Sequence, residues 1–218
     1  AALPLLSIPI LLMLRTPQSA SQSASESSGR SLIQILMMPR YMLAVAAGVV
    51  SYGLMAFVMT AAPIAMVNTG HSVDSAALGI QWHLLAMFAP SFVTGRLMTR
   101  FGKERVTAAG MLLIAVSAVV ALAGLELINF CGFLAIMGLG WNFSFSGATA
   151  MVTDCHTPGE RAKAQGANDF MVFGTTAAVS FLAGSVLHNS GWAAINWLLF
   201  PPVALILVPL LWQAARKP

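Results

Sequence analysis

The chain has 218 residues, 58% of them hydrophobic and only 8% charged, with eleven Lys and Arg against seven Asp and Glu and a formal net charge of +4. A soluble domain carries about 25% charged residues. With so little polar surface and a mean hydropathy of +0.81, a water-facing globule is excluded and the bilayer is the natural solvent.

Residues 1–14, AALPLLSIPILLML, are apolar. At about 1.5 Å per residue they reach roughly 21 Å, too short to span. Without a basic leading region or a small-residue cleavage site they do not read as a signal peptide; they read as the end of a preceding transmembrane helix. Residues 15–38 follow as a Ser-rich linker, RTPQSASQSASESSGRS and beyond, with nothing to bury. LIQILMMPR at 32–40 allows a short amphipathic helix on the membrane surface, but the simpler reading is the start of the first span with Pro39 in its first turn.

Beyond this point Asp, Glu, Lys and Arg are missing from 41–73, 75–95, 106–125, 127–153 and 170–215. A membrane helix needs roughly 20 apolar residues. The first four runs hold one span each, and the last is divided by His188-Asn189-Ser190-Gly191, a turn-forming cluster. Six spans are expected, at 41–66, 76–98, 106–125, 128–152, 165–187 and 192–213, inside a half-domain of 39–214 with a short tail at 215–218. Continuous Leu-, Ala-, Gly- and Met-rich runs are helices, not barrel strands. The expected fold class is an all-α six-helix membrane bundle.

All eleven basic residues fall on one side of these spans; the opposite connectors, around 68–75, 126–129 and 188–191, have none. The positive-inside rule makes the basic side, with the linker and C-terminus, cytoplasmic in a bacterial inner or other plasma membrane. Cys131 and Cys155 stand at opposite ends of the fourth span, about 36 Å apart, and cannot pair. Asp154-Cys155-His156 has no second Cys–His cluster to complete a metal site. No metal, cofactor or nucleic acid is expected.

Charge concentrates in GRLMTRFGKER, residues 95–105. This stretch resembles the loop signature of the major facilitator superfamily at Gly95, Leu97, Arg100, Gly102, Lys103 and Arg105, with Thr99 at the usual Asp position. DCHTPGERAKAQG, 154–166, is similar to family sequence between helices 10 and 11, Asp154 and Arg161 keeping an acid-x6-Arg spacing. The resemblance covers essentially the whole chain. It implies helices 7 to 12, the C-terminal half of a secondary transporter, whose partners are an N-terminal six-helix half, lipid and a small organic solute. The motion implied is alternating access, with proton coupling expected. A channel or structural membrane protein is the alternative; an intramembrane protease is disfavoured because FSFSG around Ser146 lacks the Gly-x-Ser-Gly pattern.

In such a fold solute sits near mid-membrane between the halves. Polar residues there are costly, so stripes of them are informative. Asn142, Ser146, Thr149 and Thr153 share one helical face, as do His83, Met87, Pro90 and Thr94, and Asp169, Thr176 and Ser180. Asn142, Tyr52, His83, Ser146, Thr149 and Thr176 are the cavity candidates; His83 serves equally well as an interhelical hydrogen-bond donor. Asp169, about five residues into the fifth span, is a coupling acid or a partner for the basic loops. Arg96, Arg100, Lys103, Arg105, Asp154 and Arg161 form a candidate cytoplasmic latch. The expected pairs are Arg96 or Arg100 with Asp154 or Glu160, and Arg161 with Asp154.

Overall fold

The computed structural model describes residues 29–216. The expected helix end at 1–14, the linker up to 28 and the last two residues lie outside the described residues. Among the described residues every regular element is helical.

The first element, α1 (Leu32–Leu36), is a helix in its own right rather than the start of the first span. Two features isolate it. Ser31 and Gln34 form a reciprocal capping box that fixes its beginning. Met38 is extended (ψ 121°), as the residue before a proline tends to be, and this ends the helix before α2 (Pro39–Asn68) begins with Pro39. Ile35 points inward and is buried, while Ile33 and Met37 are exposed.

The second span is two helices, α3 (Val73–Phe88) and α4 (Ser91–Phe101), bent by 42° at Ala89–Pro90. Proline removes a ladder donor there, the kink its position predicts. At Gly102, with φ 90°, the chain turns into α5 (Lys103–Leu122), a conformation glycine adopts without strain. α6 (Leu127–Thr153) follows, then a 3-10 turn (Pro158–Glu160).

α7 runs from Arg161 to Trp197, 37 residues and roughly 55 Å, too long for one crossing. Gly191, at φ 78° and ψ 179°, breaks it where the turn cluster was expected. The fifth crossing therefore ends near Ser190. The sixth starts at Trp192, turns at Leu198–Leu199 and continues as α8 (Phe200–Arg216).

The helices interleave: α2 packs on α7 and α6, α3 on α6, and α5 on α6 and α8. Close approach is bought with glycine. A Cβ on Gly110 would stand 2.6 Å from the Gly140 carbonyl oxygen, and one on Gly140 2.9 Å from that of Gly110, so α5 and α6 touch backbone to backbone. Around this contact Phe130, Phe133, Leu134, Met137 and Ile114 fill the main core. All the chain's Lys and Arg among the described residues lie at one end of the bundle, here called the basic end.

Candidate functional site

Two groups of residues stand apart from the main core: a layer at mid-depth and a charged cluster at the basic end. The layer begins with Tyr52, Phe88, Trp141 and Phe173, on four different crossings. Each lies twelve or thirteen residues from the basic end of its crossing, about 18–20 Å by helical rise. Four helices thus deliver a ring to one level.

The rings touch. Tyr52 meets Trp141 at 5.7 Å, Phe145 at 5.1 Å and Phe173 at 5.5 Å between centroids, edge-on each time. Trp141 and Phe145, one turn apart on α6, stack at 5.1 Å and 16°. Phe88 flanks Trp141 at 6.5 Å. Met55, Met87 and Met59 pack beneath, making a small cluster separate from the main core. Edge-to-face and offset pairs are the favourable ring arrangements. Phe173 and Phe88 remain more than half exposed.

Polar groups beside the layer hold its helices in place. Asn142 donates to the Met87 carbonyl at 2.7 Å and the Ser91 hydroxyl at 2.8 Å, and accepts from Thr94 at 2.6 Å. Met87 lies in the last turn of α3, where carbonyls lack helical donors. The buried Asn142 therefore satisfies the bend itself. Its amide makes three bonds across to the second span. Likewise the fully buried His83 is tied by Nδ1 to the Leu134 carbonyl at 2.8 Å, while its Nε2 has no partner among the described residues. Ser51 and Ser144, which no stripe singled out, join α2 to α6 at 2.5 Å.

Of the other candidates, Thr176 returns its hydroxyl to Val172 at 2.7 Å, and Ser146 and Thr149 are half-buried. Asp169 is exposed, with Asn168 donating to it at 3.1 Å. Because α7 begins at Arg161, Asp169 lies eight residues in, about 12 Å from the basic end, deeper than the sequence estimate. Tyr52 differs from all of these: half-buried, and with no hydrogen-bond partner for its hydroxyl among the described residues.

At the basic end the ion pairs differ from those expected. Asp154 is held by Lys103 at 2.6 Å and Arg40 at 3.1 Å. Arg40 also reaches Glu104 at 3.2 Å, and Lys103 the Ala150 carbonyl at 3.1 Å. Glu160 goes to Arg30. The Arg30 guanidinium is bidentate on the carboxylate through Nε (2.9 Å) and Nη2 (2.7 Å), the Arg30 backbone N–H donates to the same group at 2.8 Å, and Nη2 also donates to the Cys155 carbonyl at 3.0 Å. Gly29 must be small for this contact, since a Cβ would meet Glu160 Cγ at 2.8 Å.

Of the expected latch, then, only Lys103 and Asp154 come together. Arg96, Arg100, Arg105 and Arg161 are exposed and form none of the ion pairs among the described residues; Arg100 lies over the Phe101 ring at 5.2 Å instead. The reason is reach. α5 begins on the α6 side, so Lys103 on its first turn meets the end of α6 while the α4 arginines face outward. Arg30 and Arg40 were legible only as topology signals, because nothing in one sequence brings residue 30 to residue 160.

Electrostatics match the geometry. Hydrogen bonds from the Arg30 guanidinium, with the Thr157 N–H, hold the Glu160 carboxyl far below the usual carboxylate range, and Glu160 in turn raises Arg30. Burial pushes the Cys155 thiol up, opposite to what a nucleophile needs. No group of three or more His, Cys, Asp or Glu among the described residues could hold a metal ion.

An all-α half-bundle with an aromatic layer at mid-depth and lashed helix ends has the build of a multi-pass membrane transporter module. Over residues 43–218 it matches the Major Facilitator Superfamily, and the chain belongs to that family. It is 65% identical, across its whole length, to the Riboflavin transporter RfnT of Brucella anthropi. It is 33% identical over 165 residues to the Uncharacterized MFS-type transporter YdeG of Bacillus subtilis, and 32% over 166 residues to YddS of the same organism, which carries the same description. Those matches take in 74% and 75% of the chain. The chain spans 55% of the first relative's length and 38% of each of the others. It is an integral membrane protein of a transporter family, not an enzyme.

Proposed function

We propose that this chain is the C-terminal half of a secondary active transporter that moves a flavin such as riboflavin across the bacterial inner membrane by alternating access. The observation that carries the reading is the mid-depth layer of aromatic rings, open on one side, in a chain 65% identical to a riboflavin transporter. A flavin presents a flat, polarisable ring system, and aromatic side chains are the groups that bind such faces. The layer lies where solute sits in carriers of this build. The basic end faces the cytoplasm, on the strength of the eleven-to-none distribution of Lys and Arg.

Coupling runs through protons, with Asp169 as the residue that takes them up. It is exposed and stands one turn from Phe173 on the same face of α7. The other half-bundle completes the cavity.

The test is uptake by the full-length parent protein, in cells that can neither make nor import riboflavin. Saturable uptake of labelled riboflavin that a protonophore abolishes is the expected result. Uptake that stays linear with concentration would indicate a pore, and no flux at all would remove the flavin reading. Impermeant thiol reagents check the orientation: a cysteine introduced by Lys163→Cys, at an exposed position of the basic end, should react only after the inner face is opened.

A further inference from the structure

We propose that Tyr52, Trp141, Phe145 and Phe173 form one wall of the solute site and grip a planar heteroaromatic ring, with the Tyr52 hydroxyl as the polar group that fixes its orientation. This deepens the flavin reading and rests on it.

The two tyrosines of the chain make the case. Both are on α2, eleven residues or about three turns apart. Tyr41 is buried and donates to the Ala164 carbonyl at 2.7 Å, a structural bond between α2 and α7. Tyr52 has the same neighbours in kind, α6 and α7, yet its hydroxyl meets no partner among the described residues. A hydroxyl left dry at mid-membrane is costly. It therefore has a partner in the working protein, and half-burial leaves it able to reach one.

Lipid does not fit as that partner. Surfaces of this chain that are purely apolar, such as Leu205, Val208 and Leu211 on α8 and Leu112, Val116 and Val119 on α5, carry no such group. The layer combines ring faces, ring edges and one open hydroxyl at a single depth. A flat heteroaromatic with carbonyl and ring-nitrogen edges complements all three: its faces stack, and its edge accepts from the phenol.

Phe173 is the movable member of the wall. It is 53% exposed, touches Tyr52 only by its edge, and has a glycine, Gly174, beside it. Trp141 and Phe145 are the fixed members, stacked on one another on the same helix as Asn142. Asn142 locks α6 to the bend of the second span and so positions the wall without touching solute.

The experiment measures riboflavin and lumichrome affinity (the latter is the flavin-type ring without its sugar-like chain) on the purified full-length parent, with thermal unfolding recorded alongside. Phe173→Ala is expected to weaken both ligands by about tenfold, as loss of a ring contact does, and Phe173→Tyr to restore binding to within about twofold. Tyr52→Phe is expected to weaken both several-fold, as loss of one hydrogen bond does, with unfolding unchanged. Unaltered affinity in Phe173→Ala overturns the wall, and a lowered unfolding temperature with unaltered affinity assigns the rings to packing against the other half instead. Unaltered affinity in Tyr52→Phe overturns its orienting role. If the wild type carries flavin while every variant behaves like it, the wall is wrong and the transport reading stands. If the wild type neither binds nor carries flavin, both are wrong.

Discussion

At the basic end, Asp154, Glu104 and Glu160 each have a cation within 3.2 Å, drawn from α2, α5 and the strand of chain before α1. About 18–20 Å further along the same helices, Tyr52 keeps an open hydroxyl and Phe173 an open face. One region pairs its three carboxylates with cations of this chain; the other leaves surface over. Pairs made within this chain hold its helix ends to one another. On the reading proposed above, the open layer is where solute arrives. The sequence expectation of a latch at this end mixed the two, since exposed Arg96, Arg100 and Arg161 are free of the internal pairs that Lys103, Arg30 and Arg40 make.

The strongest way to break this contrast is at Glu160. Glu160→Gln removes a bidentate pair and leaves the chain before α1 unfastened. In the full-length parent the unfolding temperature should fall by about 5 °C, and trypsin should gain access to the bond after Arg30. Its folded-state carboxyl titrates well below the ordinary value of 4.5. A depressed folded value means the stabilisation is complete above the unfolded range and is lost as pH falls below about 4.5 towards the folded value. The wild type should therefore lose stability between pH 5 and lower values more steeply than Glu160→Gln, as unfolding scans at stepped pH will record. Equal slopes would remove the clasp from the account.

Asp154 sharpens the contrast with a smaller effect. Its partners are a third exposed, so each pair is worth about 0.2–1 kcal/mol. Asp154→Asn should leave insertion and transport near normal and lower the unfolding temperature by a few degrees at most. A double-mutant cycle decides the wiring: Asp154→Asn with Lys103→Met should be non-additive in unfolding free energy, whereas Asp154→Asn with Arg161→Met should add. Coupling to Arg161 would reinstate the pair that the spacing suggested.

The sequence could show the apolar crossings and the one-sided charge because each is a local property: a charge-free run, a loop composition. It pointed to Tyr52 as a weak candidate and to Asn142 as the best one; the structure buries Asn142 in bonds to the second span and leaves Tyr52 half-buried. Asn142 lies on a polar stripe, but a stripe does not tell which way a helix faces, and the bend of a neighbouring helix consumed it. Apart from Tyr52, the rings of the aromatic layer were missed. Its rings sit on four crossings with no shared spacing, and only the common distance to the basic end, countable once helix ends are fixed, relates them. Arg30 was missed for a like reason: 130 residues separate it from Glu160.

The last comparison separates the two tyrosines. Tyr41→Phe deletes a buried donor whose acceptor, the Ala164 carbonyl, stays buried in the α2–α7 contact. A net loss of about 1 kcal/mol follows, or about 2–4 °C in unfolding temperature, with riboflavin affinity unchanged because Tyr41 is about 16 Å from the ring layer along α2. Tyr52→Phe should do the reverse, with no change in unfolding and a change in affinity. The same chemical deletion on the same helix thus moves two different measurements. Should Tyr41→Phe alter affinity and leave unfolding untouched, the division between a fastened end and an open layer would be misplaced by three turns of α2.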